Sequence, residues 1–187
     1  MIDVHPHLIS PDWDKSGDVV MRDFRLSIPH YEKLDLENVK PLFEEGLSKV
    51  WLGEVENDGY NALILRAGLS YRQVEIIRAY GKYLKQTGLP YSEGYVASAL
   101  CSHPVTTRRL VTLFEARFDT KTLAKAKRDT EISKIRDIIN NDLADITNLA
   151  EDTILRTFAD SILATWRTNF YQKTKDGAHK PYVSCLL

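Results

Sequence analysis

Cysteine, net charge and long apolar runs are all scarce in this sequence. Only Cys101 and Cys185 occur in 187 residues, without CxxC spacing, which excludes a disulfide framework and the usual redox or zinc patterns and leads us to expect a reducing, cytoplasmic setting. Lys+Arg number 25 against Asp+Glu 26, a net charge of -1, so no bulk field draws the protein to nucleic acid or an anionic membrane. No apolar run approaches the roughly 20 residues that span a bilayer, and the opening MIDVHPHLISPDWDKSGD lacks the basic and apolar regions of a secretory leader. None of the nine glycines falls in GxGxxG or GxxxxGKS/T spacing, so no phosphate-cradling loop is readable.

What remains is ordinary globular composition, 43% hydrophobic and 27% charged, enough for one domain with a real core. We expect residues 1–18 to be a flexible lead-in and residues 19–187 a single, mostly helical domain. The fold class expected is mainly α, an irregular multi-helix bundle with short β segments near both ends. Val19 to Ile28 partly alternates and favours a strand, ended by Pro29. Leu42, Phe43, Leu47, Val50 and Trp51 then recur at helical spacing up to Gly53.

Helix boundaries carry their own chemistry. Asn57 or Asp58 supplies a short acceptor for the next helix start, and Gly68 ends that helix in the left-handed conformation. Ser70 with Gln73 makes a capping box for a helix that stops at Gly88-Leu89-Pro90. Ser92 caps another, and His103-Pro104 both ends it and begins its successor. Ile132, Ile135, Ile139, Leu143 and Ile146 predict one long helix. Leu155, Phe158, Ile162, Leu163, Trp166 and Phe170 predict a second, antiparallel to the first. Lys175-Asp176-Gly177 is a turn signal, and Pro181 to Leu187 reads as a strand. An apolar edge strand is normally paired or covered, which raises the expectation that the chain is part of a longer one.

Several groupings invite a chemical reading, each beside a plainer one. His5 and His7 with Asp3, Asp12 and Asp14 resemble a metal cluster but sit in the expected lead-in. Cys101 and His103 suggest a thiol–imidazole pair, yet they flank a helix boundary. Lys121, Lys125, Lys127 and Arg128 form a basic run immediately offset by Asp129, Glu131 and Asp137, as on a solvated helix face. Glu54 with Glu56, and Asp142 with Asp145, are carboxylate pairs with no sign of perturbation. Asn57, Asp58 and Asn61 would line a small polar pocket or build a sharp corner, and the corner is the better reading. No catalytic, cofactor-binding or metal residue is assigned.

Longer blocks carry more. "WLGEVENDGYNALILRAGLSYRQVEIIRAYGKYLKQTGLPYS", His103-Pro104, "LFEARFD", "ILRTFADSILATWRTNFYQ" and "KPYVSCLL", in that order and spacing, closely resemble the large bacterial NAD-specific glutamate dehydrogenases. The resemblance covers roughly residues 24–187, with little of it between Lys121 and Asn148. It implies a non-catalytic helical region, structural or regulatory in role, just before the catalytic domain of a homo-oligomeric enzyme that converts L-glutamate to 2-oxoglutarate and ammonia. NAD would be the cofactor of the parent, with none in this segment, and the catalytic residues and dinucleotide fold would lie beyond Leu187. The partner implied is the catalytic domain of the same polypeptide, with no nucleic acid and no membrane. The alternative is a free-standing helical interaction module whose grooves take a partner's helix; a small enzyme built on Cys101 and His103 is a third.

Overall fold

A computed structural model describes residues 2–9, 19–26, 36–120 and 125–186, and the side chains of 37–120 and 127–186. The chain divides into two compact units, Met1–Asp35 and Leu36–Leu187. In the first, strand β1 (Ile2–Ile9) pairs antiparallel with β2 (Val19–Leu26), with Val4 opposite Phe24 and Leu8 opposite Val20. The strand at β2 matches expectation, whereas β1 replaces part of the expected lead-in. Ile2, Val4 and Leu8 share the period of a strand, a pattern masked by the intervening His, Asp and Pro. Pro6 is tolerated because each strand of a two-stranded hairpin has an open edge. The unit boundary accordingly falls at Asp35, not Asp18.

The second unit is helical: α1 (Leu36–Trp51), a 3-10 turn (Gly59–Asn61), α2 (Ala62–Arg66), α3 (Tyr71–Gln86), α4 (Glu93–Ser102), α5 (Pro104–Phe118), α6 (Lys125–Ala144) and α7 (Leu149–Ala164). A hairpin follows, in which β3 (Arg167–Thr168) pairs antiparallel with β4 (Cys185–Leu186). Mainly α with short β segments near both ends is the observed class. No helix among the described residues is long and apolar enough to cross a membrane.

The caps were readable. Ser70 accepts from the Gln73 N–H while the Ser70 N–H donates to the Gln73 side chain at 2.9 Å, a complete capping box. Ser92 accepts from the Tyr95 N–H at 3.2 Å, and Pro104 occupies the first turn of α5, where its missing N–H costs nothing. Asn148, not anticipated, caps α7 by accepting from the Ala150 N–H. Gly68 adopts φ +58° after α2, and the Arg108 guanidinium donates to the Ala67 and Gly68 carbonyls at 2.7 and 3.0 Å, placing a cation at the negative end of that helix.

The core lies among α3, α4, α5 and α7, where Tyr80, Leu100, Phe114 and Phe158 are fully buried. Ile135, Ile139 and Leu143 bury one face of α6, which packs chiefly on α5, with a slighter contact to α7. Phe114 is the hub of an aromatic cluster: its ring lies 6.2 Å from Tyr80, 4.9 Å from Phe118 and 5.5 Å from Phe170.

Two expectations near the C-terminus are corrected. The apolar period running on to Phe170 predicts a continuous helix, but α7 stops at Ala164 and Thr165 turns extended with ψ 128°. The Trp166 N–H then donates to the Leu186 carbonyl at 2.7 Å, so a long-range pairing overrides the local period, and Trp166 is left 82% exposed. The strand expected from Pro181 to Leu187 shrinks to Cys185–Leu186. Pro181 has no N–H for a ladder, and the Ser184 N–H goes to the Asn169 side chain at 2.7 Å.

Candidate functional site

The run Asn57-Asp58-Gly59 is a corner, held by one buried arginine. Asp58 caps the 3-10 turn by accepting from the Tyr60 N–H at 3.0 Å. Its two carboxylate oxygens also receive Arg78 of α3, at 2.6 and 3.0 Å. Arg78 Nη2 further donates to Asn61 Oδ1 at 2.7 Å, so an arginine only 5% exposed is neutralised and well supplied with acceptors. Such a forked, charge-assisted pair fixes orientation as well as position. Tyr60 is packed beneath, its hydroxyl buried without a hydrogen-bond partner. The absence of a side chain at Gly81 admits that ring, since a Cβ there would stand 2.2 Å from Tyr60 Oη.

A second set of polar groups lies where α3 and α5 meet the C-terminal hairpin. Arg72 donates to the Phe170 carbonyl at 3.0 Å and the Lys180 carbonyl at 3.2 Å. Its guanidinium lies 4.6 Å from the Phe170 ring centre, and Nη1 also meets Glu75 Oε2 at 3.1 Å. Burial raises the Glu75 carboxyl above its usual range, an effect that Arg72 and then Arg78 oppose. Deeper in, the Tyr80 hydroxyl and Thr165 Oγ1 stand 2.7 Å apart, Thr165 Oγ1 donates to the Ser161 carbonyl at 2.8 Å, and Arg117 donates to the Thr165 carbonyl at 2.8 Å. Burial pushes the Tyr80 phenol up and the Arg117 guanidinium down. A cleft of about 260 Å³ runs beside this seam, bounded by Glu56, Glu75 and Lys82 on one side and by Tyr182 and Val183 on the other. A second, of about 380 Å³, lies between α5, α6 and Phe170-Tyr171.

The groupings singled out from sequence are mostly dispersed. Cys101 Sγ donates weakly to the Gly59 carbonyl at 3.9 Å, and burial pushes its thiol up to about 11. His103 Nε2 instead meets Glu151 of α7 at 2.7 Å. Thiol and imidazole thus serve separate contacts, and the nucleophile reading has no geometry behind it. Glu54 pairs with Lys49 at 2.6 Å and Glu56 with Lys82. Asp142 binds Arg109 and accepts from Thr106 at 3.3 Å, while Asp145 is exposed. Lys127 is exposed on α6, and the side chains of Lys121 and Lys125 lie outside the described residues. So do those of Asp3, His5 and His7 on β1, along with Asp12 and Asp14. Among the described residues, no group of three or more His, Cys, Asp or Glu is placed to hold a metal.

Arg72, Arg78, Tyr80, Arg117 and Thr165 were not picked out from sequence. A signal existed. Arg72 and Tyr80 flank Ile76 at i, i+4 and i+8, and Arg78 follows Val74 by four, so both arginines stand on the buried stripe of α3. A cation in that register needs acceptors from elsewhere in the fold.

Two family matches meet within this unit. Residues 55–120 match the family described as glutamate dehydrogenase, helical motif 3, and residues 138–187 match the bacterial NAD-glutamate dehydrogenase catalytic domain. The chain belongs to the bacterial NAD-specific glutamate dehydrogenase family. The NAD-specific glutamate dehydrogenase of Halomonas elongata is 38% identical over 167 residues, 89% of this chain and 10% of that protein. That of Pseudomonas aeruginosa is 36% identical over 165 residues, covering 88% and 10% respectively. That of Mycobacterium tuberculosis is 42% identical over 130 residues, 69% of this chain and 8% of the relative. The chain therefore spans about a tenth of the length of the curated relatives it matches. The resemblance implies a catalytic domain entered at the end of the chain; the match begins instead at residue 138, inside α6.

Proposed function

We propose that this chain is the segment of an NAD-specific glutamate dehydrogenase that joins a helical motif to the opening of the catalytic domain, and that its role is structural, without catalytic residues of its own. The activity assigned to the whole polypeptide is oxidation of L-glutamate to 2-oxoglutarate and ammonia with hydride passing to NAD. Its working partners are then the rest of that catalytic domain and other copies in a homo-oligomer, in the cytoplasm. The observation that carries the reading is the shared core: Phe114 of the helical-motif match packs edge-on against Phe170 of the catalytic-domain match at 5.5 Å. Tyr80 and Thr165 join the same two segments at 2.7 Å.

This chain's residues do not fit a dinucleotide site. Its glycines have no GxGxxG spacing, and both described sheets are two-stranded and antiparallel, without the parallel strand–turn–helix that presents amide N–H groups to a pyrophosphate. NAD is accordingly assigned to the remainder of the polypeptide. The test compares glutamate-dependent NAD reduction by the full polypeptide and by the 187-residue chain. Activity confined to the former is expected. Turnover by the short chain would overturn the structural role, and an inactive full polypeptide would overturn the assigned activity.

A further inference from the structure

We propose that Arg72 is a positioning residue for the catalytic domain: its guanidinium holds both arms of the hairpin from Arg167 to Leu186 against α3, so that the helical core sets where the hairpin lies. The proposal rests on the reading above, in which residues from 138 onward open the catalytic domain.

The hairpin is poorly equipped to place itself. Its named strands contribute two residue pairs, Arg167 with Leu186 and Thr168 with Cys185, and the bridge between Lys173 and His179 adds one more. From Arg167 to Leu186 only Phe170 is buried. Two-stranded ribbons of this kind are marginal without outside support. Arg72 supplies that support at both arms, with Nη2 on the Phe170 carbonyl at 3.0 Å and Nη1 on the Lys180 carbonyl at 3.2 Å.

Three features make the contact specific to arginine. The acceptors are main-chain carbonyls, one from each arm of the hairpin. One planar group serves both carbonyls while lying over the Phe170 ring at 4.6 Å, a combination that a lysine ammonium, being a point donor, does not reproduce. Glu75 meets the same Nη1 at 3.1 Å, and the two side chains are only 14% and 16% exposed. The charge is thus balanced locally, where water competes weakly for the donors. Arg72 itself is aimed by α3, in whose first turn it lies, between the two capping-box residues Ser70 and Gln73.

The test follows amide hydrogen exchange in the 187-residue chain and kinetics in the full polypeptide. The hairpin reporters are the N–H groups of Trp166, Asn169 and Thr174, bonded to Leu186, Ser184 and Ala178. Arg72→Met should speed their exchange about tenfold, and Arg72→Lys by less, while α5 amides change less than about twofold. In the full polypeptide, Arg72→Met should lower kcat about tenfold with KM for glutamate held within about twofold, and Arg72→Lys should recover part of the loss. If Arg72→Met does not fold, Arg72→Lys against wild type carries both comparisons. Equal acceleration in α5 and the hairpin, or none in the hairpin, overturns the clamp. A loosened hairpin with unchanged kcat overturns the positioning role and leaves the dehydrogenase reading intact. A wild-type polypeptide without glutamate-dependent NAD reduction overturns that reading and the positioning role together, and the exchange data then judge the clamp alone.

Discussion

In α3, Val74, Ile76, Ile77, Tyr80 and Leu84 are almost entirely removed from water, whereas between Arg167 and Leu186 Phe170 is the one residue in that state. The helical core is therefore held mainly by apolar burial, which is non-directional and spread over many side chains. The hairpin is held by a few directed bonds, from Arg72 to two carbonyls and through Asn169 to Tyr182 and Ser184. The comparison teaches that the opening of the catalytic-domain match is attached by two mechanisms. Its helix α7 is built into the core, and the hairpin beyond it is tied on by hydrogen bonds. Loss of a central packing group should loosen the core, α7 and the hairpin together, while loss of the polar groups that tie the hairpin down, Arg72 and Asn169, should loosen the hairpin alone.

The largest expected effect abolishes the contrast. Phe114→Ala empties the centre of the aromatic cluster that touches Tyr80, Phe118 and Phe170, and should cost roughly 3–5 kcal/mol in urea unfolding, with core and hairpin probes shifting together. Asp58→Ala should act on the core. It removes a cap and strips Arg78, only 5% exposed, of its carboxylate, for a loss of about 3 kcal/mol.

Gly81→Ala is next. Its Cβ would stand 2.2 Å from Tyr60 Oη and 2.9 Å from Cζ, an overpacking worth about 2 kcal/mol. Tyr60→Phe removes a buried hydroxyl that has no partner and should be close to neutral alone, because no bond is lost. Combined with Gly81→Ala it should recover part of the loss, a coupling that a double-mutant cycle would read. A further effect depends on pH. Burial raises the Cys101 thiol from its ordinary 9.0 to about 11. A raised folded value means a contribution fully present below pH 9 and lost as pH rises through about 11. That amounts to about 1 kcal/mol by pH 10, and it should vanish from the alkaline stability profile of Cys101→Ala.

Much of the helical core was readable because its signals are local. Ser70 and Gln73 are three residues apart, and His103-Pro104 announces a boundary by backbone sterics alone. The seam was not readable for the converse reason. Arg72 meets Lys180 and Phe170 across 108 and 98 positions, and no window of sequence joins them. The same limit explains the overlong helix: Leu155, Phe158 and Ile162 do bury one face, but the distant Leu186 carbonyl decides where the chain leaves it. In α1 the period was right and the cover was not foreseeable. Leu42 and Phe43 pack partly on the core, while Trp51 is 67% exposed. Helical spacing identifies a face, not its neighbour.

The central claim is that the helical-motif match and α7, the first complete helix of the catalytic-domain match, form one cooperative body. Native-state hydrogen exchange in increasing urea tests it directly, by comparing the slowest amides of α5, at Leu113 and Phe114, with those of α7, at Leu155 and Phe158. All four side chains are fully buried. A single opening free energy for both helices is the predicted result. If α7 opens at a clearly lower free energy than α5, the two matches are separate folding units and the account is contradicted.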